Sequence, residues 1–141
     1  MESWNLKEIN VGDELPELTM TPITRSTLAL YAEASGDHNP IHIDLDFAKQ
    51  VGLPDVIAHG MLVMSYLGKA ITDHIDQSRI KEYGVKFSSI TNLGDQLTSY
   101  GSVTQVSQTD AGKLLSIELR VSDQNNDEKL TGYSNIVLPW T

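Results

Sequence analysis

The sequence predicts an α+β domain in which an antiparallel sheet of about five strands wraps around one long central helix. Three observations predict this fold: one strand-like stretch near the N-terminus, a single long apolar helical segment, and alternation of apolar and polar residues through the C-terminal half. One helix cannot cover such a sheet and leave no strand edge exposed. We therefore also expect two chains to pair through their sheets as a homodimer, or as a higher homo-oligomer.

The first strand and first helix are predicted from the N-terminal third. Residues 13–21, "DELPELTMT", form the expected strand, and Pro16 confines it to a sheet edge or a bulge. Residues 23–35 carry apolar residues at nearly helical spacing, with Thr24 as the N-cap and Gly36 as the glycine that ends the helix.

A short helical turn is expected at residues 46–51, and the core helix at residues 58–75, "AHGMLVMSYLGKAITDHI". The core helix is apolar nearly all round over its first three turns, which predicts burial on most sides. Its predicted core residues are Met61, Leu62, Val63, Met64 and Leu67.

Four strands of about ten residues are predicted from residue 79 onward. Apolar residues alternate with polar ones around residues 83–87 and 115–121, and turn-forming residues occur at 92–94, 109–112 and 123–127. We expect hairpins at these three breaks.

Composition predicts one domain, residues 1–141, because the chain has no repeat, low-complexity tract or long linker. It has no run of about 20 apolar residues and no basic-then-apolar leader, so a cytoplasmic location is expected. The formal net charge of −9 repels nucleic acid and anionic membranes, and neither is an expected partner. The absence of cysteine excludes disulfides and thiolate nucleophiles.

The densest polar chemistry follows the first helix, in "GDHNPIH" at residues 36–42. Asp37 and His42 are five positions apart, and the intervening Asn39-Pro40 favours an extended turn over a helix. Such a turn can bring a carboxylate and an imidazole together around one water molecule, as a general acid/base pair. Asn39 is predicted to orient one of these side chains or a ligand carbonyl.

A second element is "AHGM" at residues 58–61, where a glycine opens the core helix. Backbone N–H groups in a first helical turn lack intrahelical partners, and the helix dipole adds partial positive charge there. Gly60 has no side chain to block a carbonyl oxygen from that N–H, which is the arrangement of an oxyanion hole. Together the two elements suggest addition or loss of water next to a thioester carbonyl.

These residues resemble the MaoC-like, (R)-specific enoyl-CoA hydratases. "YAEASGDHNPIH" matches the hydratase motif of that family, and "HGM" falls where the family begins its central helix. The likeness covers Tyr31 to about Ser65, and the strand pattern to the C-terminus is compatible. It implies a hot-dog fold, a dimer, and an active site near the dimer interface.

The resemblance also implies residue roles. Asp37 and His42 would activate water for attack on Cβ of a trans-2-enoyl thioester and protonate Cα, or catalyse the reverse dehydration. Asn39 would position the pair or the ligand, and Gly60 N–H would polarise the carbonyl. Some relatives carry a pocket serine one or two helical turns beyond the glycine, where this chain offers Ser65 but has glycine at position 68.

No metal and no cofactor is expected. His59 is predicted to contact the substrate from the helix start, although it could only pack or cap there. His38 is expected to face solvent. Coenzyme A is the expected carrier of the acyl group, because acyl carrier protein is acidic and this chain is too.

Three alternatives stay open at this point. Asp37 and Asn39 could serve only as turn formers. The domain could be a hot-dog thioesterase, which also uses a carboxylate and a water but releases free thiol, or a non-catalytic acyl-binding module. A thiol assay separates a thioesterase from a hydratase, because hydration at Cβ releases no thiol.

Overall fold

The fold is known from a computed structural model that describes residues 8–140, so both ends of the predicted domain, residues 1 and 141, lie outside the described residues. It confirms the predicted α+β class and hot-dog architecture. Along the chain the elements are β1 Glu14–Thr19, α1 Arg25–Ser35, α2 Leu45–Gln50, α3 Gly60–Thr72, β2 Ile80–Phe87, β3 Thr98–Thr109, β4 Gly112–Ser122 and β5 Glu128–Pro139.

The five strands form one antiparallel sheet in the order β1-β3-β4-β5-β2. β1 lies at one edge, and its pairing with β3 is irregular between Leu15 and Leu18, where the expected proline sits. β2 lies at the other edge. The predicted hairpins between β3 and β4 and between β4 and β5 are present.

The predicted hairpin between β2 and β3 is wrong. β2 pairs with β5, from Ile80↔Ile136 to Phe87↔Leu130, so it lies three strands away from β3. Residues 88–97 therefore form a connecting segment that leads from one side of the sheet to the other. The turn-forming residues at 92–94 mark this crossing, which local sequence cannot distinguish from a hairpin.

Helix α1 begins and ends at the predicted residues. The Thr24 side chain accepts a hydrogen bond from Thr27 N–H, and Gly36 adopts a left-handed conformation with φ of +77° and donates its N–H to Ala32 O. A glycine meets that conformation without steric cost. The helix therefore stops one residue before Asp37.

Helix α3 packs against β1, β3, β4 and β5 through one buried face. That face is formed by Leu62, Val63, Leu67, Ala70 and Ile71. The prediction of burial on most sides is wrong, because Met61 and Ser65 are exposed and Met64 is only partly buried. The sheet curves around only one side of the helix within a single chain. None of the described helices is long and apolar enough to span a membrane.

Candidate active site

The loop after α1 is held by its own side chains. Asp37 Oδ1 accepts a hydrogen bond from Asn39 N–H at 3.2 Å, and Asp37 N–H donates to Ser35 Oγ at 3.2 Å. Asn39 Oδ1 accepts from Ile41 N–H at 3.1 Å. The Asn39 side chain therefore caps the next turn, while its backbone orients the carboxylate.

His42 lies at the end of a short 3₁₀ helix, Pro40–His42. The predicted extended turn is thus correct only at Asn39, whose ψ is 124°, and wrong for the residues that follow. Proline at the first helical position costs no hydrogen bond, since the first N–H groups of a helix have no internal partner. The single turn brings His42 back towards Asp37.

Asp37 and His42 face each other across a short gap. His42 Nε2 lies 4.0 Å from Asp37 Oδ2, and the Asp37 side chain is 52% exposed. Hydrogen bonds to nitrogen span about 2.7–3.2 Å, so this contact is not a direct one. One water molecule can hydrogen bond to both atoms across a gap of this size.

The orientation of His42 is fixed from behind. Its Nδ1 lies 2.8 Å from the carbonyl oxygen of Ile57. A carbonyl can only accept, so Nδ1 carries the hydrogen and donates it. The bond sets the tautomer and leaves Nε2 directed at the gap, which is how a histidine is prepared for proton transfer.

His59 lies beneath this pair and is 1% exposed. Its ring stacks on that of His42 with centroids 3.8 Å apart and contacts Tyr31 edge-on at 4.8 Å. Nε2 donates to the backbone oxygen of Asp37 at 3.1 Å, so His59 ties the loop to the start of α3. We call Asp37, His42 and His59 the histidine cluster.

Burial lowers the pKa of His59, and the neighbouring His42 adds to the effect, against the opposing influence of the Asp37 hydrogen bond and charge. The ring is therefore neutral around pH 7. Its Nδ1 is buried and has no hydrogen-bond partner among the described residues. His59 is not among the residues that line the cavity beside His42, so its position is that of a support behind the pair.

Gly60 is the first residue of α3, and His59 at the N-cap makes no side-chain capping bond. The helix tip therefore keeps donors that no capping side chain occupies. A Cβ at Gly60 would lie 3.0 Å from Cε1 of Phe87, tighter than ordinary van der Waals contact. Only glycine fits between the helix tip and this ring without displacement.

A cavity of about 210 Å³ joins the two predicted elements, because His42 and Gly60 both line it. Its walls are mostly apolar. The remaining lining residues are Ile57, Ala58, Val63, Phe87, Ser89, Ile90, Thr91 and Lys129. Phe87, Ile57 and Lys129 were not predicted as site residues; alternation placed Phe87 on a strand and gave no signal of its contact with Gly60.

Ser65 is not brought to this cavity. Its hydroxyl donates to Leu62 O at 2.6 Å, and it lines a separate groove of about 710 Å³ between α3 and β2 together with Gly68 and Tyr83. Its predicted substrate contact is untested. His38 is exposed as predicted, with Nε2 4.0 Å from a carboxylate oxygen of Glu33.

By distance alone the histidine cluster could also hold a metal ion, since one ligand atom from each residue lies within 4.8 Å of the others. His42 Nδ1 and His59 Nε2 are engaged with carbonyl oxygens. The atoms left for any ligand are His42 Nε2, His59 Nδ1 and the Asp37 carboxylate.

Known proteins with similar sequences include a dehydratase. A family sequence model described as "MaoC like domain" matches residues 9–125. A UPF0336 protein of Streptomyces coelicolor is 30% identical over 136 residues, which is 90% of this chain and 91% of that protein. The mitochondrial 3-hydroxyacyl-[acyl-carrier-protein] dehydratase of Arabidopsis thaliana is 25% identical over 132 residues, covering 93% of this chain and 78% of that protein.

Among solved structures, the R-hydratase PhaJ1 of Pseudomonas aeruginosa in its unliganded form superposes with a TM-score of 0.83. The two chains are 27% identical, and the match covers 96% of this chain and 85% of that one. The two chains therefore share the same overall fold over nearly the whole of this domain.

Proposed function

The chain belongs to the family of MaoC-like domains, and from that premise we propose that it catalyses the reversible hydration of a trans-2-enoyl-CoA to an (R)-3-hydroxyacyl-CoA. The observation that carries the proposal is the geometry of His42. Its Nδ1 is anchored on Ile57 O at 2.8 Å, while its Nε2 lies 4.0 Å from the Asp37 carboxylate at the edge of a cavity. This is an acid/base pair spaced for one shared water.

In the forward direction the shared water adds its oxygen to Cβ and a proton reaches Cα. One member of the pair takes the water proton as the C–O bond forms, and the other delivers a proton to Cα on the same face of the double bond. The electron pair of the double bond passes through an enolate, which collapses when Cα is protonated. Dehydration follows the same steps in reverse.

The thioester carbonyl is proposed to accept a hydrogen bond from Gly60 N–H at the tip of α3. Negative charge on the enolate oxygen then faces the positive end of the helix dipole. Donors of this kind contribute about 2.7–4 kcal/mol each to transition-state stabilisation in acyl chemistry. The apolar walls, including Phe87 and Val63, suit the acyl chain.

Coenzyme A is the proposed carrier. The net charge of −9 opposes docking of an acidic carrier protein, although the Arabidopsis relative is named for such a carrier. We further propose that the chain acts as a homodimer through the free edge of β2 and the exposed face of α3. A groove of about 710 Å³ lies between these two elements, and an unpaired strand edge favours pairing with a second copy.

The experiment combines an absorbance assay for loss of the enoyl thioester, a thiol assay, and chiral analysis of the product. Crotonyl-CoA, longer enoyl-CoA substrates and the same acyl groups on acyl carrier protein are compared. We expect loss of absorbance, (R)-product and no free thiol, with CoA preferred. Thiol release without hydration would identify a thioesterase, and binding without turnover an acyl-binding module.

A further inference from the structure

A buried lysine adjoins the cavity without belonging to the proposed chemistry. Lys129, near the start of β5, has a side chain that is only 4% exposed. Its Nζ lies 2.8 Å from Asp127 Oδ2, 3.3 Å from Asp123 Oδ2 and 3.6 Å from Asp95 Oδ2. It also donates to Ile90 O at 2.8 Å. We call Lys129 and these three aspartates the lysine cluster.

The lysine cluster holds the connecting segment, residues 88–97, by two kinds of contact. The Lys129 side chain binds Ile90 O and the Asp95 carboxylate, both of which belong to that segment. The Lys129 backbone oxygen accepts from Ser88 N–H at 2.9 Å and Ser89 N–H at 3.4 Å. One residue of β5 thus contacts the connecting segment both near its start, at residues 88–90, and near its end, at Asp95.

The same segment holds the residues that orient His42. Ala58 N–H donates to Thr91 O at 2.9 Å, and Ile57 pairs with Asn92 in an isolated antiparallel bridge. The backbone oxygen of Ile57 in turn accepts a hydrogen bond from His42 Nδ1. Lys129 is therefore linked to His42 in three steps. Its ammonium binds the backbone at Ile90, the backbone of residues 91–92 pairs with that of residues 57–58, and Ile57 O binds the imidazole.

Stability alone does not account for such a cluster. Burying an ammonium and two carboxylates has a desolvation penalty, and apolar residues of similar volume are often as stable or more stable. What an ion cluster adds is one defined arrangement of the backbone around it. Here that backbone is the wall of the cavity and the support of the acid/base pair.

We infer that Lys129 is a positioning residue for the proposed hydration, acting through the connecting segment and Ile57 on the orientation and tautomer of His42. It makes no contact with His42 and supplies no proton. The effect on kcat can be measured only if the proposed function is correct. The effect on the His42 ring is measured directly and does not depend on that function.

The test compares Lys129→Met, which removes the charge at similar length, with Lys129→Arg, which keeps the charge but replaces a point ammonium by a broad planar group. Lys49→Met is the control, because Lys49 is an exposed lysine in the last turn of α2 and lines neither the cavity beside His42 nor the groove between α3 and β2. Three measurements are made: steady-state kinetics with crotonyl-CoA, which give kcat and KM, the ¹⁵N imidazole resonances of His42, and the unfolding temperature.

We expect Lys129→Met to lower kcat about 10- to 100-fold, the order of loss that follows a misplacement of about 1 Å in a catalytic geometry. KM should change less than kcat, because the Lys129 ammonium is held by three carboxylates and Ile90 O and is not proposed to bind the substrate. The ¹⁵N resonances of the His42 ring should broaden, or their chemical shifts should change in the direction that indicates more of the tautomer with the hydrogen on Nε2. Lys129→Arg should show the same changes to a smaller degree, and Lys49→Met none.

A purely structural role predicts a different pattern. If Lys129→Met lowers the unfolding temperature but, at a temperature where it is folded, leaves kcat and the His42 resonances unchanged, the inference is overturned. If Lys129→Met does not fold, Lys129→Arg decides by the same criteria. If the wild type shows no hydration at all, the proposed function fails, and the His42 resonances still decide whether Lys129 orients the ring.

Discussion

The histidine cluster and the lysine cluster use similar side chains in opposite ways. In the lysine cluster every nitrogen–oxygen distance lies between 2.8 and 3.6 Å, and only Asp127 reaches solvent to a large extent. In the histidine cluster the acid and base are 4.0 Å apart, the acid is half exposed, and His59 Nδ1 has no partner among the described residues. Saturated charges fix a backbone, whereas groups with free bonding capacity can exchange protons with a ligand.

The pKa directions agree with this contrast. Burial opposes the charge on Lys129, but hydrogen bonds with Asp127 and Asp123 outweigh it, and the pKa of Lys129 is raised. Burial also acts against ionisation of Asp123, yet backbone hydrogen bonds from Asp127 and Asn125 bring its pKa below the usual value. Both shifts favour the charged forms. In the histidine cluster burial lowers the pKa of His59, which favours the neutral form.

The largest effect is expected for Asp37→Asn. Turnover should fall about 10²- to 10⁴-fold, the usual contribution of a positioned acid or base. The fold should be unaffected, because an asparagine Oδ1 can still accept the hydrogen bond from Asn39 N–H. Steady-state kinetics with crotonyl-CoA and thermal unfolding measure the two halves of this prediction.

His38→Gln is the matched control, since His38 is the exposed neighbour within the same loop. It should keep the wild-type rate. If Asp37→Asn turned over substrate at the wild-type rate, Asp37 would have no place in the mechanism and the contrast between the clusters would lose its functional half.

In the lysine cluster, replacing an aspartate should lower the free energy of unfolding. Asp95→Ala removes one of the three carboxylate partners of Lys129 Nζ and the acceptor for Asn92 N–H at 2.8 Å and Gln124 Nε2 at 3.2 Å. A hydrogen bond to a charged group contributes about 1.5–3 kcal/mol, and Lys129 keeps Asp123 and Asp127, so we expect a loss of about 2–3 kcal/mol in the free energy of unfolding. Chemical denaturation measures it.

Asp73→Ala provides the comparison, because Asp73 forms a shorter pair with Lys69 at 2.8 Å but does so at the surface. It should lower the free energy of unfolding by less than about 1 kcal/mol. Equal losses in the two variants would show that burial does not distinguish the lysine cluster from an ordinary surface pair.

The parts of the molecule that could be predicted from sequence are those decided by neighbouring residues. Alternation located β2 and β4, because a half-buried strand must present every second side chain to the core, and the turn-forming residues at 109–112 and 123–127 separated β3 and β5 from β4. "GDHNPIH" predicted that Asp37 and His42 meet, since a glycine stop, an Asx turn and a proline determine the path of only six residues.

The remaining parts depend on contacts between distant residues. Pairing of β2 with β5 is set across the sheet, so the crossing of residues 88–97 resembled a hairpin in the sequence. Met61 appeared to be a core residue because its own helix is apolar, yet whether a helix face is covered depends on how far the sheet curves. The support of His42 by Ile57 O is a backbone contact and leaves no side-chain signal at all.

A smaller effect is expected for Gly60→Ala at the helix tip. The added methyl would approach the Phe87 ring to 3.0 Å and occupy space in front of the Gly60 N–H. Phe87 is exposed at the end of β2, so its ring can move and stability should change by less than about 1 kcal/mol. We expect kcat/KM to fall about tenfold, equivalent to about 1.4 kcal/mol of transition-state stabilisation.

Gly68→Ala is the control for helix propensity, because a Cβ at Gly68 would make only ordinary contact with Tyr83, at 3.6 Å. It should raise the free energy of unfolding by about 0.5–1 kcal/mol. Wild-type kcat/KM in Gly60→Ala would contradict a carbonyl-binding role for the helix tip.

The smallest effect concerns the pH dependence of stability that His59 confers. The folded pKa of His59 lies below the ordinary histidine value of about 6.5, so over the interval between the two values the unfolded chain binds more protons than the native one. Stability is therefore retained above about pH 6.5 and is lost as the pH falls through that interval, with a slope of at most about 1.36 kcal/mol per pH unit.

Urea unfolding of the wild type and of His59→Gln across this range isolates the contribution as the difference between the two curves, because all other titrating groups are common to both. A difference curve without slope would mean that folding leaves the pKa of His59 unchanged, and the neutral ring stacked beneath His42 would then have to be abandoned as the support of the acid/base pair.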